Sequence, residues 1–245
     1  MTALSPLTER THILLGDEGL TRLANAHVFV AGLGGVGSYC AEALARAGVG
    51  RLTLLDHDVV TGSNLNRQLP ALISTVGRKK IEVMAERIRD INPACELTLH
   101  EFFMHADDVP AMLAPGYDFV VDCIDSLNSK VTLLESAWLM KMKVASSMGA
   151  GGKLDPTRIR VTDLMKTEVC HLASFMRHRL RKRGVGKGIL AVWSDEPPRK
   201  PLPPEPTDEG RPRAVNGTIS YMPSLFGLTL AGAVINCLLE QNKSV

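Results

Sequence analysis

The sequence predicts an α/β protein built on a mostly parallel sheet with helices on both faces. Three observations predict it. Compact apolar runs such as His27–Ala31 and Phe119–Cys123 read as strands buried on both sides. Segments of about a dozen residues with helical periodicity stand between such runs. Strands and helices that alternate in this way call for right-handed crossovers between parallel strands.

Taken in order, residues 17–26 read as a short amphipathic helix, with Leu20, Leu23 and Ala24 at helical spacing. His27–Ala31 is the first strand; a glycine-rich turn follows, then a small-residue helix over Ser38–Ala47. Arg51–Leu55 is the next strand and ends on Asp56. Lys80–Ile91 places Ile81, Met84, Ala85 and Ile88 on one helical face, and Asn92-Pro93 stops it. Glu96–His100 alternates like a strand. Phe119–Cys123 is followed by a helix over 128–141 and a further strand, Val144–Ser147.

After Ser147 the pattern changes. A Gly149-Ala150-Gly151-Gly152 turn precedes a short strand at Ile159–Val161 and a basic helix over 171–183. Glu196–Pro212 holds seven prolines and is expected as an irregular surface loop. Ser224–Glu240 is an apolar helix expected to return onto the sheet. The organisation expected is one domain over 1–245, with 149–222 as an irregular C-terminal insertion carrying the basic helix and the Pro-rich loop. No internal repeat is evident.

Bulk properties narrow the classes. With 45% hydrophobic and 22% charged residues, the 245-residue chain has the composition of a globular domain, not of a disordered or fibrous one. Aromatic residues, at 4%, are too few for an extended base-stacking surface, and a net charge of +2 says little about partners. No continuous apolar run approaches the roughly 18–20 residues of a membrane span, so no membrane association is expected. Met1–His12 has no signal core. The five cysteines (Cys40, Cys95, Cys123, Cys170, Cys237) form no Cys-x-x-Cys pair, which points to a reducing cytoplasmic interior without structural zinc.

The chemistry is concentrated in four places. Gly32-x-Gly34-Gly35-Val36-Gly37 lies between a strand and a helix, where backbone N–H groups can approach phosphate, so the sheet is expected to be Rossmann-like. Asp56 ends the following strand nineteen residues beyond Gly37, where a carboxylate can accept from ribose hydroxyls. Then comes Asp58 and the stretch Ser63-Asn64-Leu65-Asn66-Arg67-Gln68, followed by Gly77-Arg78-Lys79-Lys80. Such a loop can hold a triphosphate, with Arg67 and Lys80 supplying charge to the α-phosphate. Spacing alone leaves open whether Lys79 or Lys80 does so. Finally, Asp122-Cys123-Ile124-Asp125 closes a strand at its carboxyl end. A carboxylate there can hold magnesium; Asp125 is the candidate, and Asp122 is expected to turn back onto backbone groups. His12, His57 and His105 are expected to be structural or solvated.

These elements, in this order, resemble the ThiF/MoeB/ubiquitin-activating superfamily of adenylating enzymes over residues 8–165. The resemblance implies that ATP is a cofactor, bound by the glycine turn, Asp56, Asp58, Asn64, Arg67, Gln68 and Lys80. It implies that Asp125 holds Mg2+ and is the essential carboxylate. It also implies a homodimer in which Arg10 reaches the neighbouring subunit's ATP, an arginine finger.

Members that charge sulfur-carrier proteins carry two Cys-x-x-Cys pairs, absent here, and Cys170 is the lone cysteine where a thioester nucleophile would sit. The stretches Arg10-Thr11-x-x-Leu14-Leu15-Gly16, Ala41–Gly50, Ala85–Pro93 and Gly149–Thr157 are instead similar to the tRNA threonylcarbamoyladenosine dehydratase branch. That likeness implies ATP-dependent adenylation of the threonyl carboxylate on tRNA, ring closure and release of AMP. Arg177, Arg179, Arg181, Lys182 and Arg183 are then candidates for tRNA phosphates. A monovalent cation (K+ or Na+) beside the Gly149–Gly152 turn and a sulfur-transfer partner protein are further candidates that no residue decides. The alternatives are adenylation of the diglycine tail of a small carrier protein, a nicotinamide dehydrogenase, and a nucleotide-binding protein without activity.

Overall fold

A computed structural model describes residues 5–205 and 213–240. The chain begins with α1 (Glu9–Asn25), which breaks at Gly16, where φ is +64°. The helix therefore starts one segment earlier than its periodicity suggests, because the segment before the break exposes Ile13 and Leu14 and buries little. Five parallel strands follow in sequence: β1 (His27–Ala31), β2 (Arg51–Leu55), β3 (Glu96–His100), β4 (Phe119–Asp122) and β5 (Val144–Ser147). Between them run α2 (Gly37–Arg46), α3 (Lys80–Ile91), the short α4 (Val109–Leu113) and α5 (Leu127–Leu139).

Residues 149–222 are more regular than the sequence suggests. They supply β6 (Ile159–Asp163), α6 (His171–Lys182) and β7 (Ile189–Ser194). β7 pairs in parallel with β5, and β6 pairs antiparallel with β7, so the stretch completes the main sheet. The sheet has seven strands in the order β3-β2-β1-β4-β5-β7-β6. The sequence reading passes over β7, although Ile-Leu-Ala-Val-Trp-Ser is apolar enough to be a buried strand; the glycines and lysines before it mask the boundary.

The Pro-rich segment also departs from expectation. Within it β8 (Leu202–Glu205) pairs antiparallel with β9 (Arg213–Val215), a small ribbon outside the main sheet. Proline is tolerated there because a two-stranded ribbon consists only of edges. The remainder of the loop, 206–212, lies outside the described residues.

α7 (Tyr221–Leu239) corrects the membrane expectation. At 19 residues and a mean hydropathy of 1.7 it is long and apolar enough to cross a bilayer. Ser224, Thr229 and Asn236 interrupt the apolar run, yet its average stays at that level. In the fold α7 packs across α2 and buries Met222, Phe226, Leu230 and Val234 in the larger of the two cores, which accounts for its apolarity.

The strand order reverses between β1 and β4, and at such a switch point the crossovers diverge and leave a crevice beyond the strand ends. The glycine turn lines it. A Cβ placed on Gly37 would lie 1.7 Å from the Gly32 carbonyl oxygen, so α2 can start this close to β1 only with glycine there. A Cβ on Gly34 would approach only the Gln68 side chain, at 3.8 Å, because that position opens onto the crevice. Gly37→Ala should therefore lower unfolding stability by about 3 kcal/mol or more. Gly34→Ala should stay within about 0.5 kcal/mol of the parent. Urea titration of the two variants checks the contrast.

Candidate active site

A cavity of about 330 Å³ occupies the crevice. Its walls come from the glycine turn, the end of β2, the loop before α3, the turn after β4, and the Gly149–Gly152 turn.

Asp56 organises the first wall. It is buried, and its carboxylate accepts from Leu33 N at 2.6 Å and from Asp58 N at 2.8 Å. One side chain thus pins the glycine turn to the end of β2. Burial raises its pKa above the ordinary carboxylate range, while those two amides and the nearby Lys80 oppose the rise. Two amides leave lone pairs on a carboxylate free for further donors.

The basic wall is held in place by internal acceptors. Lys80 is buried, and its Nζ donates to Asp58 Oδ2 at 2.7 Å. His57 Nε2 lies 3.2 Å from Asp58 Oδ1 and lines the cavity, a position the sequence does not signal. Lys79 turns away to Glu101, at 2.6 Å, so only Lys80 of the two lysines faces the cavity. Arg67 lines the cavity while donating to Ser63 O at 2.8 Å and Asn66 Oδ1 at 2.9 Å.

Asn64 departs from its expected position. It is buried, its Oδ1 accepts from Thr61 N at 3.1 Å, and it is not among the lining residues. The side chain is spent closing its own 3₁₀ turn. Gln68 does line the cavity, and its Oε1 is buried without a donor among the described residues. A buried acceptor without a donor is costly, so this atom calls for one from a bound ligand.

The wall after β4 rests on a buried ion pair. Lys130 Nζ sits 2.8 Å from Asp122 Oδ2, with the two side chains 1% and 0% exposed. Asp122 also accepts from Ile124 N at 3.1 Å and from Ser146 Oγ at 2.6 Å, and Lys130 donates to Ile124 O at 3.1 Å. Two of these bonds, one at its N–H and one at its carbonyl, hold Ile124 in the turn Cys123–Ser126. Asp125 projects from it, exposed and lining the cavity, without a hydrogen-bond or ion-pair partner among the described residues. The sequence reading assigns Asp122 to backbone and misses Lys130. Its signal is a lone lysine in the apolar α5, eight residues past a strand-ending aspartate.

An oxygen-donor site for magnesium fits this wall, since Asp125 offers a carboxylate committed to nothing else. Asp56, His57 and Asp58 also lie close together, but the two carboxylates there already serve backbone amides and Lys80. Burial pushes the Cys123 thiol well above its ordinary range, so this cavity-lining cysteine is not poised as a nucleophile. Cys170 is buried at the N-cap of α6.

Other predicted residues lie elsewhere. Arg10 is exposed on α1 and does not line this cavity. On α6, Arg177 donates to Thr167 and Arg179 to Asn128 at 2.7 Å, and just beyond the helix Arg183 donates to Glu135. Among the described residues Arg181 and Lys182 make no ion pair.

A family model described as ThiF family matches residues 8–245. The chain belongs to the ThiF family. It is 39% identical over 238 residues to the tRNA threonylcarbamoyladenosine dehydratase of Bacillus subtilis, covering 94% of each chain. It is 46% identical over 190 residues to the Escherichia coli enzyme of the same name, covering 75% of this chain and 71% of that one. The crystal structure of the E. coli dehydratase in complex with ATP superposes with a TM-score of 0.87 over 97% of both chains, at 38% identity. The α/β fold expected from the sequence is thus that of the solved E. coli dehydratase.

The buried pair yields a stability prediction. Lys130→Met leaves Asp122 charged and unpaired, and should cost about 3–5 kcal/mol. Adding Asp122→Asn should recover part of that loss, since the amide still accepts from Ile124 N. A double-mutant cycle by urea denaturation measures both.

Proposed function

We propose that the protein is an ATP-dependent tRNA threonylcarbamoyladenosine dehydratase, a ligase-class enzyme that adenylates the threonyl carboxylate on tRNA and closes it into a ring. What carries this reading is correspondence along nearly the whole length, 94% of both chains, with a relative bearing that name. The geometry supplies the chemistry. A carboxylate is a poor electrophile. One of its oxygens attacks the α-phosphorus of ATP, and pyrophosphate leaves. The modified side chain then attacks the acyl carbon, and AMP departs with that oxygen, for a net loss of water.

In this reading the glycine turn faces the phosphates and Asp56 accepts from the ribose hydroxyls. Gln68 Oε1 takes a donor from the bound nucleotide. Arg67 and Lys80 exchange Ser63 O and Asp58 for phosphate oxygens, placing positive charge where negative charge builds up. Asp125 would hold Mg2+, which when bound neutralises phosphate charge. A monovalent cation beside the Gly149–Gly152 turn belongs to the same reading; next to that turn the buried Lys153 ammonium donates to the Ser194 and Glu196 carbonyls, at 3.2 and 2.6 Å.

Arg10 acts across a homodimer. This is supported by its exposure away from its own cavity and by Ile13 and Leu14 beside it, 72% and 84% exposed, which offer apolar contact to a second subunit. The arginines and lysine of α6 face tRNA phosphates, with Arg181 and Lys182 the most available. The site of action is the cytoplasm, with the tRNA. Adenylation of a diglycine-tailed carrier is the second reading; the missing Cys-x-x-Cys pairs and the match to dehydratases weigh against it.

The test is AMP release and ATP–pyrophosphate exchange with threonylcarbamoyladenosine-bearing tRNA. Turnover should depend on that tRNA, and Asp125→Ala should reduce it by about 10²–10³-fold. Turnover that instead requires a diglycine-tailed protein would move the enzyme to the second reading.

A pH effect follows from Asp56. Its pKa is raised by burial, so protonation begins above the ordinary carboxylate range as pH falls. A protonated Asp56 has fewer acceptor sites, so ATP affinity should weaken on acidification. Asp56→Asn should weaken ATP binding about tenfold and remove that acidic limb. Calorimetric titration of ATP across pH reads both effects.

A further inference from the structure

α6 carries a residue that neither the core nor the nucleotide site uses. Its buried stripe is Ala173, Met176 and Leu180. Phe175 lies off that stripe and is 54% exposed, on a helix otherwise dressed with Arg and His. We propose that Phe175 is a stacking surface for one unpaired base of the substrate tRNA, next to the base being modified. The proposal rests on the tRNA reading above and deepens it.

Three observations support it. First, position: Arg179 Cζ stands 5.8 Å from the Phe175 ring centroid, and Arg179 Nη1 donates to Asn128 Oδ1 at 2.7 Å. Asn128 follows Asp125 by three residues, and Ser126 and Ser129 on either side of it line the cavity. The ring is therefore tied through one arginine to the segment carrying Asp125. Second, charge: Ser174, Arg177, His178, Arg181 and Lys182 line a shallow groove of about 410 Å³ on the same helix, which suits a phosphate backbone. Third, chemistry: an adenosine must leave its stack for its side chain to enter the cavity, and its neighbour then loses a stacking partner. Proteins that read single-stranded RNA replace such a partner with an aromatic ring, often beside an arginine plane. A membrane surface fits less well, because Phe175 is the one large apolar side chain on the exposed face of α6 among the described residues.

Phe175→Ala, Phe175→Leu and Phe175→Tyr should be compared with the parent. The readouts are AMP release at varied tRNA, direct tRNA binding by fluorescence anisotropy, the KM for ATP, melting temperature and sedimentation. The expected result is a rise of about tenfold in KM and Kd for tRNA in the Ala and Leu variants. The Tyr variant should match the parent, with kcat, the KM for ATP, folding and assembly unchanged. Four results would overturn the proposal: tRNA affinity unchanged in the Ala variant, a Leu variant as good as Tyr, altered assembly in the Ala variant, or Phe175-dependent binding to anionic phospholipid vesicles with tRNA binding unaffected. A parent that binds tRNA through Phe175 without turnover supports the stacking role while overturning the dehydratase reading. Full turnover with an indifferent Phe175 does the reverse.

Discussion

The pair formed by Asp122 and Lys130 lies under the candidate site, fully buried, where β4 ends. A charge in such a place is tolerable only with a partner and with its remaining lone pairs and protons satisfied. Both conditions are met by the turn and by the neighbouring strand: Ile124 N from the turn and Ser146 Oγ from β5 on the aspartate, Ile124 O on the lysine. Neighbouring strand β5 and helix α5 are thereby fixed to one loop. Asp125, three residues past Asp122, takes its direction from that loop.

Asp56 plays the corresponding part on the opposite wall, binding the glycine turn to the end of β2 through two amides. The two aspartates stand at the ends of β2 and β4, the strands that flank β1, and each clamps its own turn. Between them the functional cations are parked rather than idle. Lys80 rests on Asp58 and Arg67 on Ser63 O, so neither buried nor half-buried charge is left alone before the nucleotide arrives. In the reading proposed above, ATP exchanges these acceptors for phosphate oxygens. This preorganisation lets fixed charge act on the transition state with little reorganisation.

Much of this was legible in the sequence because the chemistry sits on regular elements. The glycine turn, Asp56, Lys80 and Asp125 each follow a strand or open a helix, so periodicity places them at the carboxyl ends of the sheet. Asn64 and the Lys79/Lys80 choice were less legible, since a loop's side chains are directed by local hydrogen bonds that spacing does not reveal. Lys130 was missed because its importance comes from a contact eight residues away, through a bend of the chain. β7 and β8 were missed for a composition reason: glycine and lysine before the one and proline within the other hide the strand pattern. α7 was legible as an apolar helix that returns to pack on the sheet; only its length and average hydropathy, those of a membrane helix, escaped the reading.

The central claim is that this site makes the substrate carboxylate into a leaving group by joining it to AMP. The most direct measurement is isotopic: tRNA whose threonylcarbamoyl carboxylate carries ¹⁸O, incubated with the enzyme and ATP, with the released AMP weighed by mass spectrometry. An acyl-adenylate leaves one labelled oxygen on the AMP, and this is the predicted result. Cyclised tRNA formed together with unlabelled AMP would contradict the account, because the carboxylate oxygen would then have left without ever being bonded to phosphorus.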